Sequence, residues 1–129
     1  MKPVERIILI DDNEMDNVYH QVILQRAGFA GEILIFESGA EALRYLHSAD
    51  MARPSLIFLD INMPGMDGFE FAEQATPLLA DKPSTTIMML TSSASEHDRL
   101  RASGIAIIKG FLTKPLTEVT ISQMLTPTG

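Results

Sequence analysis

Four short apolar runs along the chain each break at a polar residue. They read Ile7-Ile8-Leu9-Ile10 before Asp11-Asp12, Leu56-Ile57-Phe58-Leu59 before Asp60, Ile87-Met88-Met89-Leu90 before Thr91, and Phe111-Leu112-Thr113 before Lys114-Pro115. Runs of this length, bounded by turn or polar residues, fit strands buried on both faces of a parallel sheet. Ile33 to Phe36 reads as a further strand. Helical spacings fill the gaps. Met15, Val18, Tyr19, Val22 and Ile23 form one apolar stripe at helical period, stopped by Gly28. Ser38-Gly39-Ala40-Glu41 is a capping box that opens a helix through Leu43 and Leu46. Pro64-Gly65-Met66-Asp67-Gly68 is a tight loop, and a helix starts at about Phe69, which Pro77 is expected to end or kink near Thr76. Ser95-Glu96-His97-Asp98 resembles another capping box for a short helix reaching Ser103-Gly104. The last helix begins near Thr117 and carries Ile121, Met124 and Leu125. Strands alternating with helices predict an α/β domain. Five of each fill the length, so one domain over residues 1–129 is expected, with no output domain.

Composition narrows the class. With 46% hydrophobic and 21% charged residues the chain can bury a core and is not disordered. No cysteine is present, which excludes disulfides, thiol catalysis and thiolate metal sites and suits a reducing, cytoplasmic setting. No apolar run approaches the roughly 18 residues of a membrane span. A net charge of −7 and the lack of a basic cluster argue against direct nucleic-acid binding.

In an open parallel sheet, ligands bind beyond the carboxyl ends of the strands. If the four runs are neighbours, Asp11, Asp12, Asp60, Thr91 and Lys114 meet at one edge. Oxygen ligands of this kind suit Mg²⁺, a hard cation. Without a cation the acids repel: two charges about 4 Å apart cost about 4 kcal/mol at an effective dielectric of 20. Asp60 is then a candidate nucleophile that would hold phosphorus as an acyl phosphate. Mg²⁺ and Lys114 would neutralise the charge, and Thr91 could bond a phosphoryl oxygen. Plainer readings stand beside these. Asp11 and Asp12 could cap the following helix, where negative charge is favoured. Lys114 could be a surface lysine, and Thr91 a hydroxyl serving backbone. His20, His47 and His97 lack metal-ligand spacing and read as surface or half-buried residues. Met63 and Met66, beside Asp60, are core fill or weak partner contacts.

At Asp11-Asp12, Asp60 with Asn62-Met63-Pro64-Gly65-Met66-Asp67-Gly68, Thr91-Ser92 and Phe111-Leu112-Thr113-Lys114-Pro115, the chain resembles the receiver domain of two-component response regulators. The motifs follow that family's order from about Val4 to Leu125. The resemblance implies a (βα)5 fold, a doubly wound five-stranded parallel sheet with flavodoxin-like strand order 2-1-3-4-5. It implies that a histidine kinase or histidine phosphotransfer protein phosphorylates Asp60. It implies Mg²⁺ held by Asp12, Asp60 and the Asn62 backbone carbonyl, with Asp11 acting mostly through water. Thr91 and Lys114 would bind the phosphoryl group, and Lys114-Pro115 would be cis. Phe111, where many members have Tyr, would turn inward as Thr91 moves; its plain reading is a core aromatic. Asn62 and Ser93 would tune self-dephosphorylation. Output would pass to an unknown downstream protein through the fourth helix, fifth strand and fifth helix, a face that many members use for dimerisation.

The leading function is therefore a stand-alone, phosphorylation-controlled binding module that catalyses only its own phosphorylation and dephosphorylation. A phosphorelay shuttle or sink is a second reading. A receiver excised from a hybrid kinase is a third, against which Met1 and the compact length argue. An aspartyl-phosphate phosphatase of the haloacid dehalogenase type would need a second Asp at position 62, where this chain has Asn62. A flavodoxin-like cofactor binder would need a phosphate loop where Asp11-Asp12 stand.

Overall fold

A computed structural model describes residues 3–92 and 95–125 of the chain. Strands and helices alternate throughout: β1 (Arg6–Ile10), α1 (Glu14–Arg26), β2 (Glu32–Phe36), α2 (Gly39–Ser48), β3 (Ser55–Asp60), α3 (Gly68–Leu79), β4 (Thr85–Thr91), α4 (Glu96–Ser103), β5 (Ile108–Thr113) and α5 (Glu118–Leu125). All strand pairs are parallel and the order is β2-β1-β3-β4-β5, as the resemblance implies.

Side-chain alternation sorts the apolar runs onto two faces. Ile8, Ile10, Ile57, Leu59, Ile87 and Met89 pack with Leu46 of α2, Phe71 and Ala75 of α3 and Ala102 of α4. Ile7, Leu9, Leu56, Phe58 and Leu90 pack with Leu24 of α1 and Ile121 of α5. β1 and β3 are buried at every residue, which is why they read as unbroken apolar runs. Each such Leu or Ile contributes roughly 2 kcal/mol by leaving water. The edge strands β2 and β5 are only partly covered.

Two helix expectations need correction. Of the two outcomes expected of Pro77, an end or a kink, the end is not found: α3 does not stop at Thr76 but passes through Pro77 to Leu79. Buried Ala75 and Leu79 hold the last turn on the core, and the Ala80 N–H donates to the Thr76 carbonyl at 2.8 Å. In α1 four of the five stripe residues face outward: Met15 is 76% exposed, and Val18, Tyr19 and Val22 are also exposed, while Ile23 is buried as a core stripe requires. The buried face carries Asn17, His20 and Leu24 beside Ile23. His20, expected at or near the surface, is buried, whereas His47 and His97 are exposed as expected. Packing overrides periodicity because the inner face of α1 meets polar backbone. The Asn17 amide donates to the Asp11 carbonyl at 2.8 Å, and His20 Nε2 accepts the Leu116 N–H at 3.4 Å.

A buried arginine closes the amino-terminal edge of the sheet. Arg6 Nε donates to Ser55 Oγ at 2.7 Å, Nη1 to the Tyr45 hydroxyl at 2.8 Å, and Nη2 to the Asp50 carbonyl at 2.8 Å. The guanidinium also lies 5.7 Å from the Tyr45 ring centroid.

Candidate functional site at the carboxyl edge of the sheet

The strand order makes the site. β1 and β3 are neighbours in a register that pairs Ile10 with Leu59, so Asp11 and Asp60 follow side by side. β3 and β4 pair Asp60 with Leu90, which brings Thr91 one residue beyond. β4 and β5 pair Thr91 with Thr113, and Lys114 follows. The Lys114 N–H donates to the Thr91 carbonyl at 2.8 Å. The four polar residues that break the apolar runs therefore meet at one edge, as the sequence leads one to expect.

Local chemistry holds each piece. Asn13, not Asp11 or Asp12, caps α1 by accepting the Asp16 N–H at 3.1 Å, which corrects the capping alternative. Asp11 Oδ1 accepts the Asn13 N–H at 2.9 Å, so its carboxylate is aimed by the loop it begins. Beyond Asp60, the Gly68 N–H donates to the Ile61 carbonyl at 2.8 Å. A Cβ on Gly68 would collide with the Asp60 carbonyl, so only glycine lets α3 start this close to the strand end. Gly65 in the same loop has φ +82°, a conformation that glycine adopts without strain. The Lys114–Pro115 peptide is cis.

Asp11 and Asp60 are buried and Asp12 is exposed. One carboxylate oxygen from each lies within 4.8 Å of the other two, a spacing that one small cation could span. Lys114 reaches the same acids. Its Nζ stands 2.7 Å from Asp11 Oδ2, 3.0 Å from Asp16 Oδ2 and 3.4 Å from Asp60 Oδ1. Burial raises Asp60 from an ordinary value of 3.8 to about 6; Asp11 and Asp12 add to the rise and Lys114 opposes it. Burial alone would lower Lys114, but hydrogen bonds to Asp11 and Asp16 and the Asp60 charge outweigh it and hold Lys114 above its ordinary value. Burial, then the Lys114 charge, lowers His20, which stays neutral and so can accept from Leu116.

Thr91 is buried at the end of β4. Asn62 is exposed in the loop after Asp60. Ser93 lies outside the described residues. Phe111 is half-buried against the core, with the Arg99 guanidinium 5.4 Å from its ring centroid. It lines a shallow cavity of about 230 Å³ with Arg99, Ala102 and Ile108. Met63 is buried, which removes it as a surface contact, and Met66 packs over Gly39. Two residues of the site escape a reading of the sequence. Asp16 offers only a helix-terminal acid as signal, and Asn17 stands as a polar residue beside the misjudged stripe.

Comparison with known proteins agrees with this geometry. Residues 7–126 match the family model of the response regulator receiver domain. The chain is 30% identical over 113 residues to the alkaline phosphatase synthesis transcriptional regulatory protein PhoP of Bacillus subtilis, covering 88% of this chain and 43% of PhoP. It is 26% identical to hybrid signal transduction histidine kinase L of Dictyostelium discoideum over 99% of this chain, but only 7% of that protein. The chain thus spans less than half the length of these curated relatives. Among solved structures, the chemotaxis protein CheY4 of Vibrio cholerae superposes with a TM-score of 0.77 at 28% identity, covering 95% of this chain and 96% of CheY4. The order of the strands, the acids at their carboxyl ends and the match over nearly the whole length place the chain in the response regulator receiver domain family.

Proposed function

We propose that this chain is a phosphorylation-controlled signalling receiver in which Asp60 accepts the phosphoryl group. One observation carries the reading: a buried carboxylate, raised to about 6, sits between two further acids and a lysine at the carboxyl edge of a receiver fold. At neutral pH Asp60 is ionised. One of its oxygens attacks phosphorus, the O–P bond forms, and the bond from phosphorus to the donor breaks. The donor leaves with the electron pair, as imidazole from a phosphohistidine or as acetate from acetyl phosphate. Lys114 neutralises charge that builds on the phosphoryl oxygens, and Thr91 donates to one of them.

Asp11, Asp12 and Asp60, with the Asn62 carbonyl, would hold Mg²⁺. Three hard carboxylate oxygens gathered beside one another fit that cation. When bound, it supplies positive charge that offsets the acids and the incoming phosphoryl group. Asn62, with Ser93 two residues past Thr91 in the sequence, would tune hydrolysis of the acyl phosphate. Phe111, at the base of the cavity beside α4, is the ring that follows Thr91 on activation.

The partners are a histidine kinase or histidine phosphotransfer protein and a downstream protein that reads the α4-β5-α5 face, where a homodimer could also form. The outward apolar stripe of α1 supports a protein donor, because Asp16 in its first turn already touches the site. Among the described residues no helix is long and apolar enough to cross a membrane; a cytoplasmic place of action goes with the histidine-kinase donor proposed above. The kinship with a hybrid kinase supports a phosphorelay shuttle as a second reading.

Labelling with acetyl phosphate and Mg²⁺ tests the assignment. The wild-type chain should take up one phosphoryl group and Asp60→Asn none. Stoichiometric labelling of Asp60→Asn would move the acceptor elsewhere.

A further inference from the structure

Four helices open with an acid three residues past the cap, α1 (Asn13, Asp16), α2 (Ser38, Glu41), α3 (Asp67, Glu70) and α4 (Ser95, Asp98), and α3 and α4 close it into a reciprocal box. In α3 the acid three residues past the cap turns back: Glu70 accepts the Asp67 N–H at 3.1 Å. In α4 Asp98 accepts the Ser95 N–H at 3.3 Å. α1 has Asn13 as cap and Asp16 at the equivalent place. There, however, the Asn13 N–H is taken by Asp11 at 2.9 Å. The Asp16 carboxylate is free of the cap and accepts from Lys114 Nζ at 3.0 Å.

An ammonium has three protons to donate, and around Lys114 stand three carboxylates: Asp11 at 2.7 Å, Asp16 at 3.0 Å and Asp60 at 3.4 Å. Asp60 is the most distant. The Asp11 side chain is 4% exposed and could not be left unpaired in the absence of a cation, whereas Asp16 is 38% exposed. Asp16 is also outside the group whose oxygens gather for a cation. It is the anion that water can take over at least cost when Lys114 leaves.

We propose that Asp16 is a positioning residue that retains the Lys114 ammonium on the α1 side before phosphorylation and so sets how readily Lys114 engages the phosphoryl group. The inference rests on the receiver reading of Asp60 and Lys114. A phosphoryl group arriving on Asp60 competes with Asp16 for the same ammonium. The coupling is therefore present before and during uptake, and absent once Lys114 has moved. Uptake should feel Asp16 and hydrolysis should not.

Labelling by acetyl phosphate with Mg²⁺, followed by donor removal, measures both rates. Asp16→Asn should label about 3- to 5-fold faster than wild type, the upper range that one partly exposed ion pair can supply. Its loss of label should stay within about twofold of wild type. Asp16→Ser, which removes the charge with a smaller side chain, should behave alike. Asp16→Glu, which keeps a carboxylate in reach of Lys114, should restore slow uptake. Uptake by Asp16→Asn and Asp16→Ser no faster than wild type, or uptake and loss moving together, would overturn the inference while leaving Asp60 as acceptor. A wild-type chain that takes no label would overturn the receiver reading and this inference with it.

Discussion

The two ends of the sheet each bury a cation, in opposite ways. At the amino edge Arg6 is 2% exposed and meets neutral groups: a hydroxyl, a phenol, a carbonyl and the Met51 sulfur. Among the described residues no carboxylate pairs with it. At the carboxyl edge Lys114 meets three carboxylates, with Asp12 a fourth acid nearby. The first site is satisfied by neutral acceptors in a fixed fork and has one arrangement. The second holds surplus negative charge, so its lysine has several anions to choose among and its acids gain from any cation that arrives. One edge anchors the fold, and the other stores the repulsion that binding relieves.

Substitution at each edge should therefore move stability in opposite directions. Arg6→Ala leaves Ser55, Tyr45 and the Asp50 carbonyl without their donor and should cost about 3 kcal/mol. Urea unfolding measures it, and a cost below about 1 kcal/mol would mean that the amino edge is not an anchor.

At the other edge Asp60→Asn should stabilise the metal-free protein by about 3 kcal/mol at pH 7. Folding raises Asp60 from 3.8 to about 6. Between those values the folded state keeps a proton that the unfolded chain has released, so ionisation above 6 costs stability. The advantage of Asp60→Asn should be complete at pH 7, shrink as pH falls through about 6 and vanish near pH 4. An advantage independent of pH would show that charge is not its source.

The smallest effect sharpens the contrast further. Mg²⁺ at ten times its Kd should add about 1.4 kcal/mol to the wild type by mass action. Asp12→Ala should lose most of that gain, and Arg6→Ala should keep it. A thermal midpoint that rises equally with Mg²⁺ in Asp12→Ala would place the cation elsewhere.

Much of the site is legible in the amino-acid order because buried parallel strands leave a plain mark. Asp11, Asp60, Thr91 and Lys114 each interrupt an apolar run, and a polar residue there has one place to go. The face of α1 is not legible in the same way. Met15, Val18, Tyr19 and Val22 keep helical period as well as a core stripe does, yet they are exposed. Asn17 and His20 lie inside because backbone groups at Asp11 and Leu116 await them, partners 6 and 96 residues away in sequence. Pro77 misleads for a related reason: the local penalty of proline is outweighed by the burial of Leu79.

What the chain decides by itself is whatever depends on neighbours in sequence. That includes the alternation of strands and helices, the caps at Ser38, Asp67 and Ser95, and the residue types that end each strand. What the tertiary structure alone decides is which groups share a charge. Lys114 lies 98 residues from Asp16 and 103 from Asp11. Their pairing follows from a strand order that sets β1 beside β3 and lets one lysine side chain reach back across the edge. Coulomb interaction depends on distance in space and on the water excluded from between the charges, and neither quantity is written in the spacing of residues along a chain.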